Sequence, residues 1–177
     1  MSQVSYLMSS ISNLKISLIA AMSQNRAIGY ENALPWSEPI PVDWENLYQV
    51  TAGKKMIMGR KSYDNPHRVW SAAGNFVVTR QENYQVETGF EVVKSLEEAL
   101  EKCQNEEEVF VIGGEEIFRI ALPLAHKIVL TLVHQDFKGD AFFPEFNEAE
   151  FEITEKKTYK AGNQTPYDLE ILTMERV

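Results

Sequence analysis

The sequence predicts a single α/β domain, in which a central and mostly parallel sheet carries helices on both faces. A chain of 177 residues has the length for one full-sized core. Apolar runs of strand length alternate along it with segments of helical periodicity, the order that produces parallel strands joined by helices. The last two strand-like segments are joined by a short turn, and they predict an antiparallel hairpin at one edge of the sheet.

The first half of the chain begins with a buried strand and continues through an irregular loop into a helix. Residues 16–22 form a nearly continuous apolar run, which is typical of a strand covered on both faces. Residues 23–42 are expected to be irregular, because one glycine and three prolines interrupt them. A helix over residues 41–53 follows, since proline fits a first helical position and glycine fits a helix end. Strands are predicted at residues 55–58 and 75–79, with a short helical stretch between them.

The second half repeats the alternation of strand and helix before the final hairpin. Ser95, with Glu98 three residues later, has the pattern of a capped helix start. Gly113 and Gly114 separate a fully apolar strand from the helix that follows it. The elements of this half are predicted as strands at 90–93, 109–112, 127–133, 151–159 and 167–175, and as helices at 95–103 and 115–121.

The chain is expected to act in a reducing compartment such as the cytoplasm. Its one cysteine, Cys103, cannot form an internal disulfide and is expected to be a buried structural thiol. The sequence contains no run of 18 apolar residues, so no transmembrane helix is predicted and no binding to a membrane is expected. Residues 1–13 lack the features of a signal peptide, and residues 1–15 are predicted to be a loosely ordered extension ahead of a domain over residues 16–177.

The net charge of −9 is unevenly distributed along the chain. An acidic protein of this kind is not expected to bind nucleic acid, since binding a polyanion requires an excess of cations. Residues 54–80 nevertheless contain six basic residues and one acid, a net charge of +5. This basic segment suits a small anionic ligand, although lysines scattered over a surface would give the same count.

Three strand-to-helix junctions could hold an anion, although the common glycine-rich nucleotide fingerprints are absent. Gly113-Gly114 would let a ligand approach the free N–H groups of a helix start; a tight turn is the alternative. Met58-Gly-Arg-Lys-Ser62 brings two cations to a strand end, and Val77-Val-Thr-Arg80 brings a hydroxyl and a guanidinium. Ligands of open α/β sheets bind at the carboxyl ends of the strands, so we expect these junctions to converge. The three histidines lack companions at ligand spacing and predict no metal site.

Asp43 is the acid whose position has two interpretations. It occupies the third position of a predicted helix, where an acid can simply complement the helix dipole. Alternatively, Trp36, Trp44 and Leu47 enclose it, and burial then sets the pKa of its carboxyl. Glu45 is a competing acid, but two residues further along the helix it points to a different face.

Taken in order, these segments resemble the dihydrofolate reductase family over residues 16–176. The resemblance rests on the joint order and spacing of short runs, which are Ile16-Ser-Leu-Ile-Ala-Ala21, Ile28-Gly-Tyr-Glu-Asn-Ala-Leu-Pro-Trp36, Ile40-Pro-Val-Asp43, Met58-Gly-Arg-Lys-Ser62, Val78-Thr-Arg80, Val111-Ile-Gly-Gly114 with Ile117-Phe118, Leu130-Thr131, and Gly139-Asp-Ala-Phe-Phe-Pro144. It implies the three-layer fold of that family, a monomeric state, and NADPH-dependent reduction of 7,8-dihydrofolate to tetrahydrofolate by the domain over residues 16–177.

The resemblance also implies which residues bind the cofactor. Arg60, Thr79 and Arg80 would hold the 2′-phosphate of NADPH, and a mobile loop at about residues 23–36 would close over the site. The whole set is Ala21, Ile28, Gly29, Asn32, Ala33, Leu34, Gly59, Arg60, Lys61, Ser62, Val78, Thr79, Arg80, Ile112, Gly113, Gly114, Glu115, Glu116, Ile117 and Phe118.

For the substrate, the resemblance implies that Asp43 is the catalytic carboxyl. It would hydrogen-bond the 2-amino group and N3 of the pterin and favour protonation at N5 while hydride arrives at C6. Thr131 would hydrogen-bond Asp43 or the pterin amino group. The substrate pocket as a whole would comprise Ile19, Ala21, Asp43, Trp44, Leu47, Arg68, Ile112, Phe118 and Thr131.

The chain departs from the family's pattern most clearly at the outer end of this pocket. Ala73 stands where the family usually has an arginine that clamps the α-carboxylate of folate, and Arg68 is a nearby substitute. In addition, Phe118 replaces the usual tyrosine, and two extra residues lie between Trp36 and Asp43. Two alternatives therefore stay open: a reductase of the same fold acting on another pterin or pyrimidine heterocycle, and a non-catalytic nucleotide-binding homologue.

Overall fold

The computed structural model describes residues 3–177 and contains one large mixed sheet flanked by helices, as the sequence predicts. The strands are β1 (Lys15–Ser23), β2 (Ala27–Gly29), β3 (Lys55–Gly59), β4 (Asn75–Val78), β5 (Phe90–Val93), β6 (Glu108–Val111), β7 (Lys127–Val133), β8 (Ala141–Phe142), β9 (Phe151–Tyr159) and β10 (Leu169–Arg176). The helices are α1 (Gln3–Ser10), α2 (Pro41–Thr51), α3 (Arg60–Asp64), α4 (Leu96–Lys102) and α5 (Glu115–Ala121).

Eight strands form the main sheet in the order β5-β4-β3-β6-β1-β7-β10-β9, and β2 pairs with β8 separately. The six strands from β5 to β7 are parallel, whereas β10 is antiparallel to both of its neighbours. The carboxyl ends of the parallel strands therefore meet at one edge of the sheet, which is where α/β proteins bind their ligands.

Strand β1 lies in the middle of this sheet and divides the core into two layers. Successive strand residues point to opposite faces. Ile16 and Leu18 belong to a buried cluster with residues of α1, α4 and α5. Ile19 belongs to a second cluster, which Ala21 joins and which packs against Val42, Leu47 and Val50 of α2. The helices thus cover both faces, and the three-layer prediction is confirmed.

Two expectations for the irregular parts of the chain differ from the structure. The residues ahead of β1 were expected to be loosely ordered, but α1 forms there and Leu7 is buried in the main core; residues 1 and 2 lie outside the described part. Residues 23–42 were expected to be irregular, but they contain β2, which pairs with β8 more than one hundred residues away. Within residues 3–177, none of the helices has the length and apolar character needed to cross a membrane.

Candidate active site

The centre of the site is a hydrogen bond between Asp43 and Thr131. Helix α2 begins with Pro41, and Asp43 lies in its first turn with a half-buried side chain. Thr131 lies on β7 beside Ala21 of β1 and is only 2% exposed. Its Oγ1 donates to Oδ1 of Asp43 at 2.6 Å. The helix and the central strands therefore hold the carboxyl in a fixed position.

Burial is the main influence on the acidity of Asp43. It raises the pKa of this carboxyl from 3.8 to about 6, and the hydrogen bond from Thr131 opposes the rise. Removing a carboxylate from water disfavours its charged form, whereas a donated hydrogen bond favours it. The result is a group that exchanges its proton close to neutral pH, as general acid–base chemistry requires.

Four of the apolar residues predicted to form the substrate pocket lie together in the structure. Ile19, Ala21, Leu47 and Ile112 belong to one apolar cluster on the α2 face of the sheet. Trp44 is half-buried, and its ring stacks on that of Tyr48 with centroids 6.2 Å apart.

Trp36, one of the residues expected to enclose Asp43, is buried in the core. It is 5% exposed, and its ring meets that of Phe137 edge to face at 5.7 Å. Two extra residues precede Asp43, but Trp36 still packs into the cluster that contains Ile19. The tryptophan therefore supports the pocket from behind. Phe137 was missed because no local pattern links it to a residue one hundred positions earlier.

The predicted glycine-rich junctions come together at the ends of β3 and β6. Gly59 donates its backbone N–H to the carbonyl of Gly113 at 2.7 Å. A Cβ atom on Gly59 would lie 3.0 Å from Ile117, and one on Gly113 would lie 3.0 Å from the Phe118 ring. On Gly114 the nearest atom would be Oγ of Ser62 at 3.7 Å, which is an ordinary van der Waals contact. The peptide bond between the two consecutive glycines is cis.

Two of the predicted cations follow the ends of β3 and β4, and each has an acidic partner. Arg60 contacts Asp64 at 3.3 Å within α3, and Arg80 contacts Glu116 at 3.6 Å across the ends of β4 and α5. Neither pair was predicted, although the spacing of four residues in α3 is a signal that sequence alone contains. In the strands that precede these arginines, Val78 of β4 pairs with Gly59 of β3, and the side chain of Thr79 is buried. Lys61 is exposed beside Arg60.

The loop that contains Ile28, Gly29, Asn32, Ala33 and Leu34 follows β1 at the same edge. Its position is fixed by two contacts that the sequence did not predict. The side-chain amide of Asn65 donates to the carbonyl of Asn32 at 2.9 Å, which links the loop to the end of α3. The carboxylate of Asp140 accepts from the backbone N–H of Glu31, also at 2.9 Å. The loop is therefore held from two sides.

Glu115 forms a second connection between these parts of the structure. One carboxylate oxygen accepts from Arg119 at 2.7 Å, and the other accepts from the backbone N–H of Phe142 at 3.0 Å. Because Phe142 belongs to β8, the start of α5 is joined to the short β2–β8 pair. Both oxygens of the Glu115 carboxylate are thus engaged by donors outside the glycine pair.

Arg68 and Phe118 have surroundings other than those predicted. Arg68 contacts Glu87 at 2.5 Å and lies over the ring of Tyr63, so its charge already has a partner. Phe118 is 2% exposed and belongs to the core cluster on the face opposite Leu47. Its ring packs behind Gly113, because the short helix α5 turns this side chain into the core. Neither residue is brought to the cluster around Asp43.

The fold and site together indicate the class of the protein. A half-buried acid, two glycine junctions and several arginines follow or flank the strands of a mostly parallel sheet, the arrangement of a nucleotide-dependent α/β oxidoreductase. A profile described as dihydrofolate reductase matches residues 15–176. The chain is 39% identical to the dihydrofolate reductase of Staphylococcus haemolyticus, over 93% of this chain and 97% of that protein. It is 37% identical to the one of Bacillus subtilis (strain 168), over 91% and 94%.

A solved structure agrees with these relatives. Dihydrofolate reductase from Enterococcus faecalis, complexed with NADP(H) and RAB-propyl, matches with a TM-score of 0.79 and 28% identity, over 92% of this chain and 96% of that one. The chain belongs to the dihydrofolate reductase family. The resemblance read from the sequence is therefore confirmed.

Proposed function

We propose that this chain reduces 7,8-dihydrofolate to 5,6,7,8-tetrahydrofolate with NADPH. The observation that carries the proposal is the half-buried carboxyl of Asp43, which Thr131 holds by a hydrogen bond and whose pKa is raised to about 6 by burial. It stands at the same sheet edge as the glycine junctions and the arginines. Family membership gives the reaction, and this geometry supplies an acid where the reaction requires one.

The residues at the sheet edge fit a dinucleotide. Gly114 has no side chain to cover the backbone beside Ser62, and the first N–H groups of α5 have no partner within the helix. We propose that the backbone at Gly114 and the start of α5 binds the pyrophosphate and that Arg60, Thr79 and Arg80 bind the 2′-phosphate. Ala21, Ile28, Gly29 and the loop through Leu34 would enclose the nicotinamide. When bound, NADPH supplies the hydride.

Asp43 is proposed to orient the pterin and to manage the proton. As a carboxylate it accepts hydrogen bonds from the pterin 2-amino group and N3, in the plane that Thr131 fixes. A carboxyl that exchanges its proton near neutrality favours protonation of N5 through water. The apolar wall of Ile19, Leu47 and Ile112 keeps bulk water away from the ring.

The direct test follows NADPH absorbance after purified protein, NADPH and dihydrofolate are mixed. We expect turnover, and we expect Asp43→Asn to remove most of it at neutral pH. Glu45→Gln is the matched control, since Glu45 is an exposed acid on the same helix. If Asp43→Asn turned over as fast as the wild type, the role of Asp43 would be wrong.

A second candidate is reduction of another pterin or pyrimidine heterocycle. Two observations favour it: Ala73 offers no cation, and Arg68 is engaged with Glu87. For dihydrofolate to be held by Arg68, Glu87 must release it. Glu87→Gln should then lower the KM for dihydrofolate, and Arg68→Ala should raise it more than that for NADPH. If neither variant changes that KM, a substrate without the glutamate tail should be tried in the same assay.

We propose further that the protein is a cytoplasmic monomer whose catalytic domain spans residues 16–177. The buried, unpaired thiol of Cys103 is compatible with a reducing compartment. Light scattering after size-exclusion chromatography measures the mass directly, and a value of about twice that of one chain would reject the monomer.

A further inference from the structure

The contact between Arg80 and Glu116 is an ion pair at the rim of the proposed cofactor site. Arg80 follows the end of β4, and Glu116 is the second residue of α5. Their side chains are 89% and 71% exposed, and the charged atoms are 3.6 Å apart. A pair so exposed contributes little stability, so the guanidinium can exchange one anionic partner for another at small cost.

The ion pair between Arg60 and Asp64 differs from the one between Arg80 and Glu116 in how its acid is held. Asp64 contacts Arg60 and also accepts a hydrogen bond from the hydroxyl of Tyr84. This second partner fixes Asp64, and Asp64 in turn restrains Arg60. Glu116 forms a single contact of this kind among residues 3–177, so it can move aside without breaking a network.

We propose that Glu116 limits the preference of this protein for NADPH over NADH. The inference rests on the proposed binding of the 2′-phosphate by Arg80. To bind that phosphate, Arg80 must leave Glu116, and the freed carboxylate then remains close to a second anion. At physiological ionic strength, charges within about 8 Å still act on one another, so Glu116 repels the bound phosphate. NADH has a hydroxyl at this position and is not repelled.

The test measures nucleotide binding rather than turnover. Dissociation constants for NADPH and NADH are obtained by fluorescence titration for the wild type, Glu116→Gln and Glu82→Gln. Glu82 is the matched control, because it is an exposed acid two residues after Arg80 and forms none of the ion pairs found in residues 3–177. Glutamine keeps the shape of the side chain and removes its charge.

We expect Glu116→Gln to tighten NADPH binding about two- to five-fold, the range of an exposed charge interaction, and to leave NADH unchanged. The gain should shrink when the salt concentration is raised, since the repulsion is screened. Weaker NADPH binding would show that Glu116 instead positions Arg80. Equal changes for both nucleotides, or an equal effect of Glu82→Gln, would also overturn the proposal.

The same titrations separate this inference from the proposed reaction. If the wild type binds NADPH but does not reduce dihydrofolate, the proposed reaction is refuted and the proposed role of Glu116 is not. If the wild type binds neither nucleotide, both proposals are refuted.

Discussion

Replacing Thr131 with valine is expected to raise the pKa of Asp43 above its present value of about 6. Thr131 donates the hydrogen bond that opposes the effect of burial, at 2.6 Å from Oδ1. Valine has nearly the same shape but no hydroxyl, so the buried position on β7 stays filled. Only the interaction with the carboxylate is lost.

The size of the change follows from the energy of such a bond. A hydrogen bond to a charged group contributes about 1.5–3 kcal/mol, and one pKa unit corresponds to about 1.36 kcal/mol. The variant should therefore titrate about one to two units higher. Whichever ionisation state of Asp43 is active, the midpoint of the pH profile moves in the same direction.

The assay is the pH dependence of kcat/KM for dihydrofolate, which reports the ionisations of the free enzyme. Thr51→Val is the matched control: Thr51 is equally buried, and its hydroxyl donates to the carbonyl of Leu47 within α2. A Thr131→Val profile with an unchanged or lowered midpoint would refute the assignment of that midpoint to Asp43. A midpoint that moved equally in both variants would show a general loosening of the helix.

Three further predictions concern stability. Asp43→Asn should stabilise the fold at pH 7. The pKa of Asp43 is about 6 in the folded protein and 3.8 in its ordinary state, so ionisation of the buried group lowers the stability progressively between these two pH values, and the full cost is present above pH 6. The gain is at most about 3 kcal/mol and disappears as the pH falls below about 4, which urea unfolding at the two pH values measures. Gly139→Ala should lower Tm, since its Cβ would lie 2.6 Å from a neighbouring methyl group; Gly162→Ala, with its nearest atom at 3.9 Å, should not. Leu7→Ala should cost about 2–5 kcal/mol because Leu7 is buried in the main core, whereas Tyr6→Ala, at an exposed position, should cost little.

The parts of the fold that the sequence predicts best are those fixed by near neighbours. Ser95 accepts a hydrogen bond from the N–H of Glu98 at 3.1 Å, and the Glu98 carboxylate accepts from the N–H of Lys94 at 2.8 Å. Every partner lies within four residues, so the start of α4 is visible in a short window of sequence. The start of α2 at Pro41 has the same local origin.

The parts that were missed depend on residues that are distant in sequence. The strand β2 exists only because β8 pairs with it, and the α1 helix is held by burial of Leu7. The engagement of Arg68 with Glu87 joins two loops that sequence reading treats separately. For Asp43, the local pattern favoured a simple helix-start acid, and only the ordered resemblance placed it with Thr131, 88 residues later.

The position of β10 has a consequence for how the protein is made. This last strand lies between β7 and β9, and its Ile171 is paired with Thr131. Until residues 169–176 have left the ribosome, β7 is an open edge whose backbone groups can pair with another chain. The strand whose Thr131 contacts Asp43 is thus fully paired only after residues 169–176 have been made. A nascent chain stalled before this segment should be inactive and prone to aggregation, and it is a natural client for chaperones.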